Sequence, residues 1–307
     1  MSESFWRNAV VSRRRVDDRA VGIGCALLMV AVFAGFNIVS RLGSETSMTA
    51  WDLGFLRFTV GGLIMLPIFV RKGLAGLSFG HAALIALLGG LGFALSAYAG
   101  FTLAPASHGG VLLHGTLPLF TFLVGLCFGY SIRRRAVPGL LLILLGSALM
   151  VYDTVGAPNP VQIAGDAWFL LAALFWSTCG ILISRAGLHS TAAAPIVVVL
   201  SACVYVPSYL LLGDLDELMS ADPRDLATQA GFQGVIVGAF SIFIYARAVE
   251  SLGPNGTAIF SATIPGVTSL AAIPLLGERP GDLGWWGIAV VTVGMLATFL
   301  VRFVGRQ

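Results

Sequence analysis

Ten separate stretches of this chain run for about twenty residues with almost no charge in them: approximately 20–42, 50–70, 79–100, 104–128, 136–152, 165–184, 192–212, 229–249, 256–276 and 284–303. About 20 apolar residues in a helix cross the hydrocarbon layer of a bilayer. The runs are continuously apolar, whereas a transmembrane barrel needs alternation over about ten residues. Backbone groups in lipid must find their partners within the element, so the runs predict helices. Composition agrees, because 57% of the 307 residues are hydrophobic and 11% charged, against about 45–50% and about 25% in soluble chains. Such a chain cannot cover itself with a polar surface.

The basic residues predict the orientation. With the amino terminus inside, cytoplasmic segments hold Arg7, Arg13, Arg14, Arg15, Arg19, Arg71, Lys72, Arg133, Arg134, Arg135, Arg185, Arg247, Arg302 and Arg306, which is 14 of the 18 lysines and arginines. The other side receives Arg41, Arg224 and Arg279, and Arg57 lies within the membrane. This bias predicts two cytoplasmic termini in a cell inner (plasma) membrane. Trp51, Trp168, Trp285 and Trp286 sit where helices two, six and ten would enter from the outside, as interfacial anchors do. Short basic clusters between apolar runs read as topology signals rather than a nucleic-acid surface. Met1 to Arg19 resembles a charged leader, but the apolar run after it is too long for a signal peptide and no Ala-x-Ala pattern ends it. Cys25, Cys127, Cys179 and Cys203 all lie in apolar runs, which argues against a disulfide framework or a cysteine metal site. The acidic outer loop at about 213–228 matches no metal-binding spacing and reads as a solvated connection.

The halves of the chain repeat weakly. Ser40-Arg41 and Ser184-Arg185 close helices one and six at an offset of 144. Thr116-Leu117-Pro118-Leu119-Phe120-Thr121 in helix four matches Thr263-Ile264-Pro265-Gly266-Val267-Thr268 in helix nine at an offset of 147, and Leu103-Ala104-Pro105 matches Leu252-Gly253-Pro254 at 149. An ordered series at nearly constant offset points to duplication. Five helices per copy is an odd number, so the copies must have opposite orientation, the architecture of many secondary transporters. The expected fold is therefore all-α and integral to the membrane, with ten transmembrane helices as two inverted five-helix repeats. The expected boundaries are a cytoplasmic segment 1–19, a first repeat 20–152, an outer linker 153–164, a second repeat 165–303 and a cytoplasmic tail 304–307.

Phe55-Leu56-Arg57-Phe58 in helix two, the paired Thr-x-Pro segments, and Leu275-Leu276-Gly277-Glu278-Arg279-Pro280 closing helix nine carry a resemblance. The chain resembles the drug/metabolite transporter superfamily, specifically the EamA-type ten-helix carriers, over about residues 20–303. The resemblance implies a secondary carrier, many such relatives being exporters of amino acids or other small metabolites, with a cavity lined by helices one, three, four, six, eight and nine. It places the first-half counterpart of Glu278 at Tyr130, which removes a carboxylate from one of the two related loops. Arg57 has no such counterpart, since the offset points to Ser201.

Arg57 is the sharpest candidate. It lies about eight residues into helix two, roughly 12 Å from the outer end, and an unpaired buried guanidinium costs about 2.5–3.5 kcal/mol on insertion scales. It must face the bundle interior or water, either as an anchor for a carboxylate or as a structural clamp on backbone carbonyls or Asp52. His114, just before Thr116, offers a hydrogen bond or a protonation change, or equally neutral packing. His108 nearer the outer end reads as an entrance or loop-capping residue. Two histidines six apart do not share a helical face, so no metal site is expected. Asn37 and Ser40, Tyr98, Trp176, Ser177 and Cys179, Tyr245, Asn255 and Thr257 supply polar or aromatic groups to an oily bundle; Asn37, Tyr98, Trp176, Tyr245 and Asn255 are expected at the cavity with Arg57 and His114. Pro118 and Pro265 are expected kinks, and Glu278 pairs locally with Arg279 or closes a gate.

There is no nucleotide-binding glycine loop with its lysine, which argues against ATP drive within this chain. Cofactors are not expected, nor is nucleic acid a partner; the expected partners are a small-molecule substrate and the lipid bilayer, with the chain a monomer or weak dimer. The leading expectation is export of a small organic metabolite such as an amino acid by alternating access. Sugars, nucleobases and drug-like cations are the alternative cargoes. A membrane enzyme would need acid, base or nucleophile groups aligned at one depth, and a channel a continuous polar stripe; the polar positions here are scattered.

Overall fold

The computed structural model describes residues 3–130, 134–155 and 160–303, and all the regular structure among them is helical. In chain order the elements are α1 (Glu3–Ser44), α2 (Ala50–Lys72), α3 (Phe79–Leu103), α4 (Ala106–Cys127), α5 (Val137–Val155), α6 (Pro160–Arg185), α7 (Ser190–Leu212), a short α8 (Leu215–Ser220), α9 (Pro223–Ser261), α10 (Ile264–Leu276) and α11 (Asp282–Phe303). Nine of these helices are long and apolar enough to cross a membrane, and α10 is a shorter apolar helix.

The count differs from ten because the eighth and ninth expected runs are distributed over α9 and α10. Within the 39 residues of Pro223–Ser261 the helix breaks at Gly253, whose φ of 75° and ψ of 166° an L-residue rarely adopts. Pro254 follows, at a position where its missing N–H costs nothing. A second interruption falls at Thr263 (ψ −12°), after which Pro265 opens α10. The first half repeats the arrangement: Pro105 precedes Ala106, Thr116 leaves helical geometry at ψ −5°, and Pro118 opens the continuation Leu117–Cys127. Both Thr-x-Pro segments are thus helix restarts inside an apolar run.

At the amino end α1 starts at Glu3 rather than near residue 20. No glycine or proline interrupts residues 3–20, so the polar stretch continues the apolar helix behind it. The linker expected over 153–164 is shorter, with α5 reaching Val155 and α6 starting at Pro160. Residues 156–159, the tail 304–307 and Arg133 lie outside the described residues.

The two halves interleave: α1 runs along the second part of α9 and along α10, α2 packs between α7 and α9, and α5 lies along α11. The last pair meets through glycine. A Cβ at Gly139, Gly146, Gly287 or Gly294 would come within 2.7–2.8 Å of a carbonyl oxygen of the opposite helix. Small residues at such a contact let backbones approach in lipid, where no hydrophobic force drives helices together.

Three segments widen from α to π turns: Leu87–Gly92 in α3, Gly109–Gly115 in α4 and Ala230–Phe240 in α9. Such turns cluster at functional sites because they shift the register in which side chains are presented. Here the second presents His114 and the third Gln233, both buried in the bundle.

Candidate functional site

The start of α2 explains why Arg57 lacks a carboxylate. Asp52 forms a capping box with Thr49: its Oδ2 accepts from the Thr49 N–H at 2.6 Å and hydroxyl at 2.8 Å, while Thr49 Oγ1 accepts from the Asp52 N–H at 3.3 Å. Its other oxygen accepts from the Tyr209 hydroxyl. Asp52 is thereby consumed at the helix end, and the pairing with Arg57 weighed from the sequence does not form. Arg57, a turn and a half further on, is 7% exposed. Its Cζ lies 5.8 Å from the ring centres of both Phe36 and Phe93, within the range where a guanidinium is attracted to the ring faces. Its Nη1 is buried without a hydrogen-bond partner.

Polar groups from both halves gather around the same two rings, Tyr98 among them beside the cation. Tyr98 donates its hydroxyl to Gln233 Oε1 at 3.0 Å, and Gln233 in turn donates to Ser40 Oγ at 3.0 Å. Asn37 donates to Phe33 O at 3.2 Å and to Thr268 Oγ1 at 3.0 Å, and its amide nitrogen lies 3.4 Å from His114 Nδ1. The backbone carbonyl of Phe33 can only accept, which fixes the NH2 side of the Asn37 amide. Its Oδ1 is left buried without a partner. Aromatic walls close the cluster: Phe36 meets Phe93, Tyr98, Phe101 and His114 at centroid distances of 5.8–6.4 Å, and Phe93 meets Trp176 at 4.7 Å.

Of the residues singled out in the sequence, Arg57, His114, Asn37, Tyr98 and Trp176 therefore come together around Phe36 and Phe93. Tyr245 is 39% exposed and Asn255 half-buried, and among the described residues neither joins this cluster by a hydrogen bond or ring contact. Sequence reading missed Gln233, although a glutamine between glycines inside an apolar run is as visible as Asn37. Thr268 is visible in the sequence only as the last residue of a repeated segment.

A second constellation sits where α1, α3 and α4 meet the chain after α10. Glu278 does not pair locally with Arg279. Arg41 Nε donates to its Oε1 at 2.7 Å, and the Ala106 N–H donates to its Oε2 at 2.8 Å. Arg41 Nη1 also donates to Phe101 O at 2.9 Å, and Arg41 lies 3.4 Å from Glu45. At the far end of α4, 22 residues or about 33 Å away, Arg185 donates to Phe128 O at 3.2 Å and lies over the Phe128 ring at 5.1 Å. The carboxyl-terminal arginines of α1 and α6 thus occupy opposite ends of the bundle and each grips the end of a neighbouring Thr-x-Pro helix. His108, expected at an entrance, is instead paired with Asp166 in the interior.

Among the described residues, no three His, Cys, Asp or Glu side chains come together as metal ligands. One solved structure, described only as the crystal structure of a protein, superposes with a TM-score of 0.61 at 16% identity, covering 94% of this chain and 100% of the other. That likeness concerns the fold alone. No curated protein matches the sequence significantly. The model of the EamA-like transporter family matches twice, over residues 20–152 and 163–300. Two copies covering nearly the whole chain make it a membrane protein of the drug/metabolite transporter type: the chain belongs to the EamA-like transporter family.

Proposed function

We propose that this chain is a secondary carrier that exports a small carboxylate-bearing metabolite such as an amino acid across the inner membrane. It works by alternating access between inverted halves of five helices, residues 20–152 and 165–303, with ten crossings and both termini cytoplasmic. The observation that carries the reading is the unpartnered Nη1 of Arg57, a buried cation with no carboxylate of the protein paired to it among the described residues. A guanidinium receives a carboxylate through two parallel hydrogen bonds. The unpartnered Asn37 Oδ1 adds an acceptor suited to an ammonium group. A zwitterion with an apolar side chain complements that pair and the aromatic wall of Phe36, Phe93 and Trp176.

Alternation needs two closures used in turn. Arg41 with Glu278 is the outer one and Arg185 with Phe128 the inner one in this reading, supported by their equivalent places in the two repeats. The helix restarts at Pro118 and Pro265 supply hinges in the same helices.

Specific ligands raise apparent stability by mass action, so purified protein screened thermally against amino acids, their decarboxylated amines, sugars, nucleobases and organic cations tests the cargo. Carboxylate ligands are expected to stabilise, and Arg57→Ala to weaken them about 10- to 150-fold, the equivalent of about 1.5–3 kcal/mol for a hydrogen bond to a charged group. Stabilisation by amines equal to that by amino acids, unchanged in the folded variant, overturns the anchor role.

A further inference from the structure

We propose that His108 and Asp166 form a proton-binding site, distinct from the Arg57 pocket, that links closure of the Arg41–Glu278 end to proton uptake. The link to closure rests on the carrier reading; the site itself does not. His108 is the third residue of α4 and Asp166 the seventh of α6. Their side chains are each 4% exposed, and Nδ1 of the ring lies 2.6 Å from Oδ1 of the carboxylate. On the other side of the ring, Gln162, one turn before Asp166, brings its amide nitrogen to 3.4 Å from Nε2. Asp166 Oδ2 is buried with no hydrogen-bond partner.

These contacts admit two proton counts. Nδ1 faces a carboxylate oxygen and Nε2 faces an amide that can donate or accept, so the same contacts suit a neutral or a protonated ring. With a neutral ring beside a carboxylate the pair carries one net negative charge in the interior; with one more proton it is neutral. Burying an uncompensated charge is costly, and two atoms can take the proton that relieves it: Asp166 Oδ2, which has no hydrogen-bond partner, and His108 Nε2, which has only Gln162. Gln162 accommodates either state, since turning its amide over offers Oε1 to a protonated Nε2.

Neighbouring cations do not supply the compensation. Among the described residues, the charged and titratable groups nearest this turn along the elements packed on it are Arg41 and Glu45 on α1, Tyr98 on α3, His114 on α4, Tyr152 and Asp153 on α5, Glu278 and Arg279 after α10, and Asp282 at the start of α11. Arg41 is held by Glu278 and Glu45, Tyr98 by Gln233, and Asp153 accepts from the Gly281 N–H. Arg279 is exposed. Two protein acceptors are too few for a metal cage, so the complementary ligand is the proton.

Linkage to the gate follows from position. Ala106, two residues before His108, is held through its N–H by Glu278, so one turn of α4 is tied both to α6 and to the chain after α10. Opening this end admits water to the pair and sealing it excludes water, so the two states differ in how well they solvate its charge. A difference in proton affinity between two states makes their equilibrium depend on pH.

The test uses the full chain in lipid nanodiscs. Histidine ring resonances are followed by NMR between about pH 4 and pH 9, a window that brackets an ordinary imidazole, and His108 is identified by the signal lost in His108→Gln. In parallel, spin labels replacing Ser47 and Arg279 in a cysteine-free background report the separation of the α1 and α10 ends as pH changes. The proposal expects a titrating His108 signal, and a pH-dependent distance that becomes pH-independent in Asp166→Asn and in His108→Gln. An invariant His108 signal overturns the site. A distance that ignores pH, or that keeps its dependence in the variants, overturns the linkage. Because no cargo is needed, neither result depends on what Arg57 binds.

Discussion

Replacing Glu278 by glutamine keeps the shape of the side chain and removes the charge that holds Arg41. Two contacts are affected, Arg41 Nε to Oε1 at 2.7 Å and the Ala106 N–H to Oε2 at 2.8 Å. Hydrogen bonds to charged groups contribute about 1.5–3 kcal/mol and neutral ones about 0.5–1.5 kcal/mol. Glutamine retains one acceptor, whereas its NH2 faces whichever donor the lost oxygen served. The side chains are 22% and 13% exposed, so some screening applies, and Arg41 keeps Glu45 as a partial partner. The expected loss is therefore about 1–2 kcal/mol, or about a 5- to 30-fold rise in the ratio of open to closed molecules. Spin labels at Ser47 and Arg279 flank the contact and are expected to show a longer-distance population in Glu278→Gln. Arg41→Ala should produce the same population. A distance distribution identical to that of the parent in both variants refutes the assignment of this contact as a closure.

The related loop offers the converse experiment: Tyr130→Glu gives Arg185 a carboxylate within the same turn as Phe128 and is expected to strengthen the opposite closure, lengthening the Ser47–Arg279 distance without touching that end. A shortened or unchanged distance counts against the equivalence of the two loops. At the seam of α5 and α11, Gly146→Val places branched carbon where a Cβ already meets the Gly287 carbonyl oxygen at 2.7 Å. A loss of about 1–3 kcal/mol is expected for overpacking, measured as a lower unfolding temperature in detergent; a variant as stable as the parent sinks the close-packed seam.

The membrane made much of the fold legible. Apolar runs are imposed by the lipid one segment at a time, which is why the ends expected for helices two, three and seven lie within a few residues of Ala50–Lys72, Phe79–Leu103 and Ser190–Leu212. The division of the ninth run at Ala262–Thr263 was less visible, because Thr263-Ile264-Pro265 permits a restart without requiring one, whereas the break at Gly253 falls in the gap expected between the eighth and ninth runs. Arg57, Asn37, Tyr98 and His114 stood out as polar groups in oily surroundings, and the cost of leaving them unpaired is what gathers them. The pairings were not legible. Glu278 finds Arg41 across 237 positions and His108 finds Asp166 across 58, while each has nearer charged or polar neighbours in sequence that a local reading prefers. Asp166 lay at the edge of an apolar run, where an acid reads as the end of a helix rather than its interior.

The π turns of α3, α4 and α9 hold a form of slack. Each accommodates one residue more than an α turn would over the same contacts, and each lies beside residues of the pocket or the helices that frame it. If that surplus residue migrates along its helix, every side chain it passes rotates by about 100°, while the backbone exchanges one carbonyl partner for the next and leaves none bare to lipid. His114 and Gln233 sit on two such segments. The same stretch of chain can therefore turn a polar group toward the cargo and away again at the cost of side-chain contacts alone, a degree of freedom that an unbroken α-helix of the same length does not possess.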